Sequence, residues 1–412
     1  MSFQSVLKSG DEFLSEYRPP STNSRLFNYL SQITCVAVIA GSKLIVNMVY
    51  DPQITGLEKL DAALARARRE NRGLITIMNH MSVADDPFLW ATLPWRYYKD
   101  VDDIRWGLGA ANLCFSNKVL STFFTLGKVL KTERFGRGPF QGSLDAAVRL
   151  LSPDDTLSLA FQPGQQNQSL KWYSPLWKIL RTNQSSALSV EAKKLLGYGL
   201  QQDYVQPILR RKTSWVHIFP EGYVAQLEPP HSNSMRYFRW GTSRLILEPT
   251  VAPIVVPIFS QGFELIYPES SAEDGMDRFF PQNRGAHIRI TVGDPVDDSV
   301  IAGFREKWNQ LCHKYYDRES PGQMSEELKF GKEARALRAN VSSFLRNLVS
   351  DLRTSTGLRA EDPRLKTHEF WHAYTHSKGV SSPDVKFIGK NWAIKEYQKN
   401  VKDYDEFGNE IS

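Results

Sequence analysis

The sequence predicts an α/β fold, a mixed and largely parallel sheet covered by helices. Two observations carry this. Short apolar or β-branched runs, Leu74 to Met78 (LITIM), Trp215 to Phe219 (WVHIF), Ile254 to Phe259 (IVVPIF) and Ile288 to Val292 (IRITV), are bounded by Pro or Gly, as buried strands are. Helical patterns lie between them, notably Gly142 to Leu151 and Met235 to Glu248, and strands alternating with helices favour parallel pairing. A length of 412 residues suits one such domain with insertions and a tail as well as two domains. With 41% hydrophobic residues, 22 Phe, 10 Trp and 16 Tyr, the chain can fill a large core, which excludes disorder throughout.

Taken in order, the first 20 residues lack the apolar region of a signal peptide, and Asp11, Glu12 and Glu16 run against an acid-poor transit peptide, so any targeting signal is expected to be internal. The most apolar long stretch is Tyr29 to Tyr50. About 20 such residues can span a bilayer as a helix, but Gln32, Lys43 and Asn47 interrupt this one and leave only Ile33 to Gly41 unbroken. A re-entrant or in-plane anchor is therefore expected, against the alternative of a buried core helix.

The strand LITIM opens the α/β pattern and runs into NHMSVADDP, after which FLWATLPW reads as a helix start. The segment 162–212 breaks the rhythm. It is rich in Gln, Ser and Asn and carries LKWYSPLWKILR near 170–181, where Trp172, Tyr173, Trp177 and Lys178 suit a membrane interface as well as they suit a surface loop. Beyond Pro321 the chain is strongly charged. There Leu337, Val341, Phe344, Leu345, Leu348 and Leu352 recur on one helical face, predicting a long amphipathic helix that docks on the core. The expected organisation is thus an N-terminal segment with an anchor (1–55), a catalytic domain (56–320, insertion 162–212) and a charged helical extension (321–412).

The net charge of +6, from 51 basic and 45 acidic residues, suits an anionic partner without demanding one. Cys35, Cys114 and Cys312 are far apart and show no C-x-x-C spacing. Neither a disulfide framework nor a zinc knuckle is indicated, and reduced, buried thiols are expected.

Chemistry centres on His80 and Asp85. Five positions along one helix place side chains about 140° apart, so the two could meet only across a turn, such as one between the strand ending near Asn79 and the following helix. There Asp85 would accept from one imidazole nitrogen and leave the other as a base. The competing possibility is a helix start, with Ser82 and Asp85 as a capping box and Pro87 in the first turn. No G-x-S-x-G elbow occurs, so the attacking group is expected to be a hydroxyl of the substrate. A metal site on His80, Asp85 and Asp86 is disfavoured because no second His stands at ligand spacing. Phe219-Pro220-Glu221-Gly222 follows a strand directly, where α/β folds place ligand contacts. Lys131, Arg134 and Arg137 form a basic run that suits either a phosphate or a solvated face.

Taken together, NHMSVADD, GKVLKTERFGRG, FPEG and IVVPIF occur in an order that resembles the four sequence blocks of the glycerophospholipid acyltransferase family. NHMSVADDP, FPEG and NSMRYFRWGTSRLILE look like its phospholipid–lysophospholipid transacylase branch, the tafazzins, over roughly Gly56 to Asp317 with the insertion excepted. The second block departs from the family form, with KTER where an apolar-Asp-Arg ending is usual.

The resemblance implies a glycerophospholipid acyltransferase-like fold and acyl transfer without coenzyme A, metal or other cofactor. His80 would be the general base and Asp85 its partner, with Arg134, Glu221 and Gly222 contacting the glycerophosphate. It implies phospholipid and lysophospholipid substrates, monolysocardiolipin among them, and mitochondrial membranes facing the intermembrane space. No nucleic acid partner is implied, and self-association stays open. An acyl-CoA-dependent acyltransferase could use the same pair, and a catalytically silent lipid-binding scaffold is the alternative from another class.

Overall fold

The computed structural model describes residues 22–83, 85–133, 138–153, 213–270, 281–317, 324–371 and 384–388. The segment 162–212, with its aromatic-basic patch, and the basic residues Arg134 and Arg137 lie outside them.

Five strands form the main sheet: β1 (Asp51–Thr55), β2 (Leu74–Met78), β5 (Trp215–Ile218), β6 (Ile254–Gln261) and β7 (His287–Val292), ordered β1-β7-β6-β2-β5. Every pair is parallel except β6 with β7, so the sheet is mixed and mostly parallel. A parallel pair, β3 (Gly107–Ala110) and β4 (Val129–Thr132), leans on the β5 edge through a bridge between Trp106 and Val216.

β2 is central and wholly buried, which is why it reads as a continuous apolar run without alternation. Its residues still alternate between faces. Leu74 and Met78 enter one core with α2 (Leu57–Glu70) and the start of α3 (Asp85–Thr92). Ile75 and Ile77 enter the other, with α5 (Gly142–Leu151), α6 (Gly241–Leu247), α7 (Asp298–Tyr315) and α8 (Lys332–Ser355). The result is a three-layer α/β/α domain.

The charged segment beyond Pro321 forms α8, with Leu337, Val341 and Leu345 buried and Phe344, Leu348 and Leu352 packed beside them. The helical pattern Met235 to Glu248 is shorter in the structure, because only Gly241–Leu247 is α-helical. The backbone of Met235 and Arg236 is engaged elsewhere, as described below.

At the N-terminal side, α1 (Thr22–Val49) is one unbroken helix, long and apolar enough by length and composition to cross a membrane. One side of it packs along the domain. Ser31 Oγ donates to Leu126 O (2.7 Å), Gln32 Nε2 to Tyr98 O (2.6 Å) and Lys43 Nζ to Ala91 O and Leu93 O (2.6 and 2.8 Å). Of the polar residues that interrupt the apolar stretch in sequence, Gln32 and Lys43 therefore point into the protein, while Asn47 is exposed. Leu26, Tyr29, Ile33, Leu44, Ile45 and Met48 face outward. The three cysteines form no disulfide with one another; Cys35 and Cys312 are buried, as expected, and Cys114 is half-buried.

Candidate active site

Because β2 and β5 are parallel neighbours, their carboxyl ends lie side by side, the edge where open α/β sheets gather ligands. β2 leads through Asn79 to His80, and β5 leads through Phe219 to Glu221. Asn79 clamps its strand end to β6: its amide donates to Ser260 O (2.9 Å) and its Oδ1 accepts from Ser260 N (2.8 Å).

The turn brings His80 and Asp85 together. Asp85 Oδ2 accepts from His80 Nδ1 at 2.9 Å, and also from the backbone N–H groups of Met81 (2.7 Å) and Ser82 (3.0 Å). One carboxylate thus closes the turn at the start of α3 and orients the imidazole, so the catalytic and capping possibilities do not exclude each other. Burial pushes the Asp85 carboxyl above its ordinary range, against the opposing pull of His80 and the two amides. An ionised carboxylate only accepts, so Nδ1 carries the proton and Nε2 keeps the basic lone pair. The Phe219 ring stacks on the imidazole at 4.4 Å and 23°, restricting its rotation, while the His80 side chain keeps 21% exposure.

Glu221 is fully buried, and both of its oxygens are committed to backbone. Oε1 accepts from His80 N (2.7 Å) and Oε2 from Arg236 N (2.8 Å). Its carboxyl is pushed up to about 7, chiefly by desolvation. Glu221 therefore fixes the backbone of His80 from behind. Gly222 has φ +84°, and a Cβ there would lie 2.7 Å from Arg239 Nε, so the glycine is required both by the turn and by the close approach of that arginine. Lys131 sits on β4, 3.8 Å from the Glu133 carboxylate.

Several residues that shape the site are not among the site residues expected from the sequence, although His217 and Arg236 lie within stretches quoted above. Buried Gln226 donates to Met81 O (2.8 Å) and steadies the His80 turn. Arg236 donates to Glu221 O (3.1 Å) and lies over the rings of Tyr223 and Tyr237. Buried His217 takes the Thr76 hydroxyl at Nδ1 (2.8 Å) and meets Phe219 edge-on. Burial holds its pKa well below the usual histidine value, so it stays neutral beside His80. Among the described residues, His231, Asp362 and Asp384 lie close enough together to share a metal ion, but Arg364 already bridges both aspartates at 2.6 Å. None of these residues belongs to the His80 turn.

A family model described as Acyltransferase matches residues 52–186. The chain is 47% identical over 400 residues to Tafazzin of Saccharomyces cerevisiae, covering 97% of each chain. It is 30% identical over 256 residues to Taffazin of Dictyostelium discoideum, covering 61% of this chain and 64% of that one. It is also 27% identical over 265 residues to N-acylphosphatidylethanolamine synthase of Arabidopsis thaliana, covering 64% and 70%. On an identity of 47% that runs almost end to end, the chain belongs to the tafazzin family of acyltransferases.

Proposed function

We propose that the chain moves a fatty acyl group from a phospholipid to a lysophospholipid, with His80 as general base and Asp85 as its partner. His80 Nε2 takes the proton of the free hydroxyl on the lysophospholipid. The alkoxide then attacks the acyl ester of the donor, and the tetrahedral adduct collapses as the imidazolium returns the proton to the departing oxygen. One ester bond forms as another breaks, with no covalent enzyme intermediate. Asp85, accepting from Nδ1, holds the tautomer and stabilises the transient cation. Monolysocardiolipin is the proposed acceptor, Arg134 the proposed charge partner of its phosphate, and the mitochondrial membranes facing the intermembrane space the proposed site of action.

The observation that carries this is the His80–Asp85 contact at the joined ends of β2 and β5, in a chain of this family. For Glu221 and Gly222, contacts inside the protein favour support of the His80 turn over direct contact with lipid. In the same proposal α1 lies in the plane of the bilayer. Its inner side is bonded to the domain at Ser31, Gln32 and Lys43, so a crossing would drag the domain into the hydrocarbon.

The test uses purified full-length protein, vesicles of labelled phosphatidylcholine and monolysocardiolipin, without coenzyme A. Label should appear in cardiolipin, and His80→Ala should slow transfer by about 10²–10⁴-fold. Transfer from acyl-CoA alone, or an undiminished His80→Ala rate, overturns the proposal.

A further inference from the structure

α4 (Lys118–Leu126) shares with α1 an apolar outer face. Its one fully buried side chain is polar, Thr125, while Val119 and Phe123, one turn apart, are 78% and 42% exposed. Leu113, just before the helix, is 42% exposed. Leu126 at the end of α4 is tied to α1, since its carbonyl accepts from Ser31 Oγ and Cys35 Sγ (2.7 and 3.6 Å). The two apolar surfaces therefore belong to helices in direct contact. Charge follows the same division: no acidic residue stands between Glu16 and Asp51, nor between Asp103 and Glu133, whereas Arg25, Lys118 and Lys131 fall in or beside those segments.

We propose that Leu113, Val119 and Phe123 form a second contact with an anionic phospholipid bilayer, continuous with the outer face of α1. This rests on the lipid-substrate function proposed above. Apolar side chains around the exposed Lys118, in a stretch of sequence without an acidic residue from Ile104 to Thr132, match the acyl–headgroup boundary of an anionic membrane.

The experiment is flotation of the full chain with phosphatidylcholine–cardiolipin vesicles, alongside pure phosphatidylcholine. Val119→Glu/Phe123→Glu should lower vesicle partitioning by about tenfold or more, with an unchanged thermal midpoint. Phe123→Trp should be quenched by brominated lipid, which gives an answer even if the charged variant fails to fold. Wild-type flotation by the charged variant, or an unquenched Trp, overturns the proposal. So does a concentration-dependent dimer that the charged variant loses while floating normally, because the face would then belong to a second copy. His80→Ala should float normally, so failure of the chemistry and failure of this surface give different results.

Discussion

Two long helices, α1 and α8, use the same inward device and show opposite outward faces. Each sends a cation to backbone carbonyls of the domain: Lys43 reaches Ala91 O and Leu93 O, and Arg346 reaches Met235 O (2.7 Å) and Arg236 O (3.0 Å). Outward, α8 shows Lys332, Glu333, Asn340, Ser343, Asn347 and Asp351, the ordinary polar face of a helix in water. α1 shows Leu26, Tyr29, Ile33, Leu44, Ile45 and Met48. The inner faces describe how each helix is held, and the outer faces describe what surrounds it. A chain that exposes such a row on one helix and none on the other has two environments to satisfy.

The comparison is broken most directly at the inner contacts, where α8 should matter more. Arg346 pairs with buried Glu361 at 3.0 Å, and Glu361 also accepts from Met235 N (2.5 Å) and Ser350 Oγ (2.8 Å). Arg346→Met would leave that carboxylate buried without its cation, at a cost of ~3–5 kcal/mol in urea unfolding. Lys43→Met removes two bonds to carbonyls near the end of α3 and leaves no buried charge, so ~1–3 kcal/mol is expected. The α8 variant should also slow transfer to a short-chain, micellar substrate, because Met235 and Arg236 carry the strain to Glu221 and from there to His80. Equal losses in the two variants would mean that the helices are held alike.

Next in size is the pH response of the joint that α8 supports. Glu221 has to be ionised to accept from both His80 N and Arg236 N, because a protonated carboxyl sets a donor against a donor. Its folded pKa of about 7 lies above its ordinary value of 4.5. The stabilisation from its neutral form is therefore complete below about 4.5 and lost as pH rises through about 7. Transfer should move the other way, falling as pH drops through 7, while the urea midpoint of wild type rises relative to Glu221→Gln. The amide presents a donating NH₂ at one of the two oxygen positions and cannot accept at both, so Glu221→Gln should be slower by about 10²-fold at pH 8 and should lose that part of the pH dependence. An unchanged rate in Glu221→Gln would detach the loop from catalysis.

The same contrast explains what was legible in the sequence. β2, β5, β6 and β7 could be read because buried strands are apolar runs between breakers. β1 (DPQIT), β3 (GLGA) and β4 (VLKT) could not, since each lies at an edge or off the main sheet and carries few apolar side chains. His80 and Asp85 were legible because one short turn holds both. The bond from His80 N to Glu221 spans 141 positions and exists only because β2 and β5 are neighbours, which no local pattern states. Met235 to Trp240 had helical spacing, yet Glu221, Arg346 and Glu361 claim its backbone groups, and this tertiary demand prevails over propensity. On α1, Gln32 and Lys43 broke the apolar run only when it was read along the line, whereas Asn47 is exposed on the folded helix as well. Wrapped on a helix, Gln32 and Lys43 turn inward and the outer face stays largely apolar.

The smallest effect on stability should come from the outer faces themselves, and it separates the two environments most cleanly. Leu44→Gln/Met48→Gln on α1 and Asn340→Leu/Asn347→Leu on α8 exchange the chemistry of surface positions without touching an inner contact. Each pair should stay within about ±0.5 kcal/mol of wild type per substitution in urea unfolding. Vesicle partitioning should fall only for the α1 pair, since two apolar side chains leave the lipid boundary while the domain keeps its fold. Transfer should then fall on vesicle substrate and hold on micellar substrate. If the α1 pair floated like wild type, its apolar row would have to be covered by protein, and the two helices would differ in partner and not in solvent.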